Sequence, residues 1–336
     1  MSSVRNKFVW STAVFCFLMA VSPSLLLALE RLVVGYASIS PSEVTLLTTA
    51  KAKLFDKHGL DVKTVYMGGS SRIMEAMVSG DLQIAQIGGT AVIFAKAAGI
   101  DVAYIATIRN AMISSILSKP ELKEVRELKG KSLAVTRRGA ITDFFARFAL
   151  AHFGLVPEKD VRLLYTGGLP ATYTALVQGY AAAAVMGAGP FASRARKEGF
   201  KQLVDMASLG SDFPYNGIAT TRKYLQTHRP TVIEFMKAYL EAIKLNLENK
   251  PFTKQVLGGY TGFQDEELLE ESYRIYVTET MSRVPYPVPQ GWKAVIDFTT
   301  QENPRVKGIK EEEILDNSII RELDESGFIR ALGLKR

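Results

Sequence analysis

The sequence predicts an α/β protein of two related lobes. Each lobe is expected to be a doubly wound, mostly parallel sheet flanked by helices, with a helical C-terminal tail on the first. Three observations carry that expectation. The stretch DVKTVYMGG at 61–69 reappears as DVRLLYTGG at 160–168, ninety-nine residues later. Extended to 80 and 179, the two copies share Asp, Val, Tyr, Gly, Gly, Ala, Val and Gly at matching places. Beyond them QIGGTAVIFAKAAG is shadowed by VMGAGPFASRARKEG, one residue longer. Solenoid repeats run to roughly 20–50 residues, so this spacing indicates two units of domain size. In both units short apolar runs alternate with helical patterns, which is the pattern of a parallel sheet. From FPYNGIATTRKYL onward, long helical patterns replace that alternation.

Each element follows in order. RLVVGYA is a short apolar run suited to a buried strand. Pro41-Ser42-Glu43 then opens a helical pattern (Val44, Leu47, Ala50, Leu54, Phe55) that Gly59 closes. LDVKTVYM, LQIAQI and DVAYIATI are the next strands, separated by helices in RIMEAMVSG and AVIFAKAAG. The second unit repeats the series with strands in SLAVT, DVRLLYT, AAAAVM and FKQLVDM. Its helices are DFFARFALAHFG, ATYTALVQG and PFASRARKEG. ISSILSKPELKEVRELKG reads as a crossing between lobes, and the tail is too long to dangle, so it is expected on the first lobe. The expected division is 29–115 with 217–336 as the first lobe and 116–216 as the second.

With 47% hydrophobic and 22% charged residues the chain reads as globular. Its N-terminus differs: Arg5 and Lys7 precede FVWSTAVFCFLMAV and then Ser22-Pro23-Ser24. A basic start, an apolar run and small residues predict a cleaved secretory signal over 1–28, with an uncleaved anchor as the alternative. The one cysteine, Cys16, falls inside that segment, so the exported chain would have none; this suits a periplasm. Histidines stand only at 58, 152 and 228, which leaves little for a zinc site or thiol chemistry. There is no Gly-x-Ser-x-Gly, P-loop or metal-ligand cluster, and no basic run for nucleic acid, so neither a catalytic site, a metal nor a cofactor is expected.

In open α/β sheets ligands bind beyond the carboxyl ends of strands. Gly68-Gly69-Ser70-Ser71 and Gly167-Gly168-Leu169-Pro170 are equivalent strand-end loops, as are Gly88-Gly89-Thr90 and Gly187-Ala188-Gly189. Facing each other, they would offer backbone N–H groups and small hydroxyls from both lobes. The plainer alternatives are tight turns at each glycine and helix caps at Ser70, Ser71 and Thr142. Phe144, Phe145 and Phe148 have helical spacing and read as core. Arg109 is as compatible with a surface charge as with a ligand contact.

The stretch from 32 to 107 resembles the first lobe of nitrate/sulfonate/taurine-type solute-binding proteins of ABC importers, which share their fold with thiamine-pyrimidine precursor proteins. The strand-loop at 35–40, LFDKHGLDV, SSRIMEAMVSGDLQIAQIG and ELKGKSLAV carry the resemblance, which extends over nearly the whole exported chain. It departs at MGAGPF (186–191), where sulfonate-type members carry an aromatic-acidic loop, so it names a superfamily and leaves the ligand open. The resemblance implies a type II periplasmic binding protein fold and a monomer that captures a small molecule and delivers it to an ABC permease. A sensor module, or an enzyme of the pyrimidine-precursor type, is the alternative. It also implies pocket positions at Tyr36, Ser38, Ser40, Ser70, Ser71, Gly89 and Thr90. From the second lobe come Arg138, Gly139, Thr142, Thr166 and Gly187, with Asn216 on the return crossing. Charge adds an expectation. Between 119 and 215 the chain has fourteen Lys/Arg against nine Asp/Glu, whereas the rest of the exported chain balances. Arg138, at a strand end before a helix, is therefore expected to hold an anionic ligand group with help from Ser70 and Thr90.

Overall fold

The computed structural model describes residues 30–210 and 212–335. The expected signal, 1–28, lies outside them. Ten strands run in chain order: β1 (Glu30–Tyr36), β2 (Leu60–Tyr66), β3 (Ile84–Ile87), β4 (Val102–Asn110), β5 (Ser114–Ser118), β6 (Ser132–Val135), β7 (Arg162–Tyr165), β8 (Ala183–Gly187), β9 (Lys201–Asp205) and β10 (Pro214–Thr221). They form two five-stranded sheets, ordered β2-β1-β3-β10-β4 and β7-β6-β8-β5-β9. In each, four strands point one way and one strand runs against both its neighbours: β10 in the first sheet, β5 in the second.

The sequence echo is also an echo of register. Val34 pairs with Thr64 and Ile84; Leu133 pairs with Leu163 and Ala183. Each member of the second set stands ninety-nine residues after its counterpart in the first. The copies at 61–80 and 160–179 are accordingly both strand, glycine loop and helix, with helices at Ser70–Ser79 and Leu169–Val177.

Both antiparallel strands departed from the sequence reading. SSILS, read as part of a crossing, is β5, and PYNGIATT, where helices were expected to take over, is β10. Each crossing is itself a strand, inserted into the sheet it enters. Their apolar periodicity is weak because Ser, Asn, Gly and Thr fill them, and main-chain pairing on both sides holds them in place.

Packing follows the pleat. Along β8, Ala183 and Val185 join the core containing Phe145, while Ala184 and Met186 join a separate core with Leu176. The alanines admit the helices Ile141–His152 and Leu169–Val177 close to the strand. Phe145, fully buried, contributes roughly 1.5–3 kcal/mol by burial. The tail returns to the first lobe as expected: the helix Arg229–Glu248 buries Val232, Phe235, Met236, Tyr239, Leu240 and Ile243 at three- and four-residue intervals. Phe235 stacks on Phe55 at 5.2 Å. No helix among the described residues is long and apolar enough to cross a membrane.

The lobes meet in a closed arrangement. From the helix Ile141–His152, Arg147 pairs with Glu302 of the tail at 2.7 Å. From the helix Pro190–Lys197, Arg196 pairs with Glu271 at 3.0 Å and Lys197 with Glu267 at 2.7 Å. The basic surplus of the second lobe is thus partly matched by acids of the first.

Candidate functional site

A small cavity of about 70 Å³ lies where the strand ends of the two sheets converge. Its lining repeats the duplication. Ala37 and Thr136, Ser42 and Ile141, Glu43 and Thr142, Gly69 and Gly168, Ser70 and Leu169, and Gly88 and Gly187 all border it. The members of every pair stand ninety-nine residues apart. Tyr215 and Asn216, on β10, complete the wall where the crossing passes. Helices begin at Ser70, Ile141 and Leu169, and none has a side-chain cap, so first-turn N–H groups border the cavity from both lobes.

Glycine is required at two of these places for different reasons. Gly69 has φ +135°, and a Cβ there would lie 2.5 Å from Arg137 Cδ. The Arg137 guanidinium, reaching across from the second lobe, donates from Nε to the Gly68 carbonyl. At Gly187 a Cβ would lie 2.6 Å from the Tyr215 hydroxyl. Backbone there must come close to the crossing strand.

One lining group is an acid that the sequence reading passed over. Glu43 is 1% exposed. Its Oε2 accepts from Gln86 Nε2 at 2.7 Å and its Oε1 from Ser42 Oγ at 3.2 Å. Gln86 in turn accepts from the Tyr239 hydroxyl at 2.6 Å, so the acid is tied to the helical tail. Burial pushes the Glu43 carboxyl up to about 8, against the pull of Arg109 and of hydrogen bonds from Ser42, Asn216 and Gln86. Arg109 is neither a surface charge nor a ligand contact. It is fully buried behind the cavity, donating to the carbonyls of Ser42 at 2.8 Å and Tyr276 at 2.6 Å. Tyr276 belongs to a π-helical stretch, Arg274–Glu279. Burial lowers the Arg109 pKa, and the nearby phenols and Glu43 oppose that.

The pocket positions implied by the resemblance divide. Ser38, Ser40, Ser70, Thr142, Gly187 and Asn216 line the cavity. Thr142 also closes its own loop, accepting from Thr136 N at 2.9 Å. Tyr36 lies outside the lining, its ring packed on Tyr66 and Tyr260. Gly89 packs against Pro214 and Trp292, and Thr90 is buried with an unpartnered hydroxyl. Thr166 bonds to Val135, Gly168 and Thr172 and serves the loop. The side chain of Ser71 is outside the described residues.

Arg138 requires a correction. Its side chain is 71% exposed, lies over the Tyr165 ring and pairs with Glu158 at 3.4 Å. Together with Gly139 it borders a different cavity, of about 240 Å³, beside Phe144 and Phe298. The two arginines at 137 and 138 sit on a turn: the first reaches the Gly68 carbonyl of the opposite lobe, and the second borders the other cavity, whose far wall is Phe94, Phe298 and Glu302. No Lys or Arg lines the first cavity among the described residues. Glu43, Gly68, Gly69, Gly88, Ile141, Gly168, Leu169 and Tyr215 are lining residues beyond the implied set. The paired glycine loops pointed to most of them; nothing in the sequence marked Glu43 as more than a helix start. Phe144, Phe145 and Phe148 are core, as read, with Phe145 on Phe213 at 4.6 Å. The histidines stand elsewhere: His58 pairs with Glu234 and Glu241, and His228 stacks on Tyr224.

Comparison with known proteins agrees with this architecture. The provisionally named binding protein YtlA of Bacillus subtilis (strain 168) is 25% identical over 204 residues, which is 58% of this chain and 60% of that protein. This chain therefore matches less than two thirds of that relative's length. A solved structure from Bordetella bronchiseptica RB50 superposes with a TM-score of 0.79 at 18% identity, over 88% of this chain and 98% of that one. The nitrate-binding protein NrtA of Synechocystis PCC 6803 gives 0.72 at 14% identity, covering 91% of each chain. The alkanesulfonate-binding protein SsuA of Xanthomonas axonopodis pv. citri, bound to MOPS, gives 0.70 at 18%, over 87% and 97%. At such identities the likeness establishes the periplasmic binding protein fold and says nothing of the ligand. The family model described as NMT1/THI5 like matches residues 41–251, well over half of the sequence, and the chain is a member of the NMT1/THI5-like family.

Proposed function

We propose that this protein is the exported, ligand-binding component of an ABC import system. It takes a small organic molecule between its lobes, 29–115 with 217–336 and 116–216, and presents the closed form to an inner-membrane permease. The observation that carries the reading is the paired lining: six positions from each half, ninety-nine residues apart, close on one cavity. Such a cavity exists only while the lobes are together, which is how a hinged binding protein encloses its ligand. The permease partner, the periplasmic location and a monomeric state belong to this reading, and the family membership supports it. The anionic-ligand expectation loses its carrier in this cavity, because Arg138 borders the other one.

An enzyme of the pyrimidine-precursor type is less well supported, since the described histidines lie away from the cavity. Small-angle scattering with and without a co-purified ligand identified by mass spectrometry tests the proposal. Compaction on ligand addition is expected. An unchanged radius of gyration, or turnover of the ligand, would reject it. Loss of uptake in a strain lacking the partner permease would separate import from sensing.

A further inference from the structure

We infer that Glu43 and Asn216 select a ligand bearing an ammonium or amidinium nitrogen on a compact apolar body. The inference rests on the binding-protein reading above. Glu43 is the one carboxyl among the described residues lining the cavity, and no lysine or arginine lines it. An ionised carboxylate has about four acceptor sites. Gln86, Ser42 and Asn216 use three of those on Glu43, which leaves one for a ligand. Asn216 adds a second acceptor. Its side chain hydrogen-bonds to Glu43 and lowers the carboxyl's proton affinity, so the amide N–H is the group used. The remaining atom, Oδ1, is buried without a partner, and the residue as a whole is 4% exposed.

The wall contributed by the other lobe is different in kind. Where the first half has Ser42 and Ser70, the second has Ile141 and Leu169. A nitrogen donor would therefore lie against the first lobe and an apolar body against the second. An anionic ligand would gain the first-turn N–H groups but would meet a carboxyl and an orphan carbonyl oxygen at the first-lobe wall, where no cationic side chain lines the cavity to offset them. A cationic nitrogen instead gains a charge-assisted bond to Glu43, and the orphan oxygen gains a donor. Arg109 lies behind the acid with Nη1 and Nη2 on two carbonyls, so it acts on Glu43 through its charge and does not line the cavity.

Matched probes test this on the purified full-length exported protein. Propylamine is compared with propionate, acetamidine with acetate, and nitrate and ethanesulfonate are included, all by thermal shift and calorimetry at pH 7. The nitrogen bases are expected to raise the Tm where their anionic twins do not. Glu43→Gln should weaken base binding at least tenfold, and Arg138→Gln should leave it unchanged. A second measurement does not depend on the variant folding: base binding should release a proton, read as a heat that varies with the buffer's ionisation enthalpy. The ionisable groups around Glu43 are Arg109, Tyr36, Tyr104, Tyr215, Tyr239 and Tyr260, and burial raises every one of those phenols, so the proton comes from Glu43. Anions that stabilise as well as the bases, no base that stabilises, or base binding without proton release would each overturn the inference. Compaction driven by an anion would remove this inference and leave the binding-protein reading standing.

Discussion

The two halves of the cavity share a scaffold and differ in chemistry. At the matched positions the first half carries Ser42, Glu43 and Ser70, and the second carries Ile141, Thr142 and Leu169. Behind the first half stands a buried polar network: Glu43, Gln86, Tyr239 and the guanidinium of Arg109. Behind the second lies an aromatic core of Phe144, Phe145 and Phe213. Duplication thus reproduced the backbone that frames a site, and the side chains diverged. One half carries the carboxyl and the serines; the other sets Ile141 and Leu169 beside Thr136 and Thr142, and ion pairs around the rim join the two.

The largest effect should separate the two networks. Arg109→Met removes the donors to two buried carbonyls, of which Ser42 keeps Gln86, and strips Glu43 of its nearby positive charge, so about 3–5 kcal/mol of stability should be lost. Arg137→Met, at the rim of the second half, should cost under about 1 kcal/mol. Urea midpoints for both variants decide; equal shifts would erase the distinction.

Next comes pH. Glu43 titrates near 8 in the folded chain, above the ordinary 4.5, so the folded state binds its proton more tightly than the unfolded state. That stabilisation is full below pH 4.5 and is lost as pH rises through 8, by at most about 1.4 kcal/mol per pH unit. The ligand-free Tm should therefore fall between pH 5 and 8. In Glu43→Gln the slope should flatten, and an unchanged slope would assign the loss to other groups.

The glycine loops offer a closer contrast. Gly69 sits at φ +135° against Arg137, whereas Gly168, at φ −173°, is ordinary extended backbone near the end of the Tyr66 side chain. Gly69→Val should strain the closed form by roughly 1–3 kcal/mol and weaken ligand binding about five- to a hundredfold. Gly168→Ala should change binding less than tenfold. Calorimetry with an identified ligand would show whether the order reverses.

The smallest effect belongs to the rim. The Arg147–Glu302 pair is partly solvated on its acidic side, so Glu302→Gln should shift closure by less than about 1 kcal/mol, and less again in high salt. Scattering at two ionic strengths would register it. A large, salt-independent change would mean that the rim, and not the polar half, holds the lobes shut.

Much of this was legible in the residues. The spacing of ninety-nine predicted both sheets and, through the glycine pairs, the walls of the cavity. What escaped was of two kinds. β5 and β10 are polar, interrupted strands whose pairing partners lie far off in the chain, so no local pattern announced them. Glu43 and Arg138 were misjudged for a shared reason. Each sits between a strand and a helix, where a side chain can turn inward or outward, and sequence gives position along a loop without direction.

By itself, then, the sequence determined the duplication, the alternation of strands and helices, and the loops that meet, because these depend on local periodicity and on glycines repeated at one spacing. Only the tertiary structure decided which side chains enter the cavity. Arg138 finds Glu158 and solvent, Arg137 finds a carbonyl of the opposite lobe, and Glu43 is turned inward onto Gln86. Those choices are made by partners brought from twenty to seventy residues away, and burial then changes the chemistry of what it encloses. A carboxyl that any sequence reading would take as charged is held near 8 because water has been removed from around it.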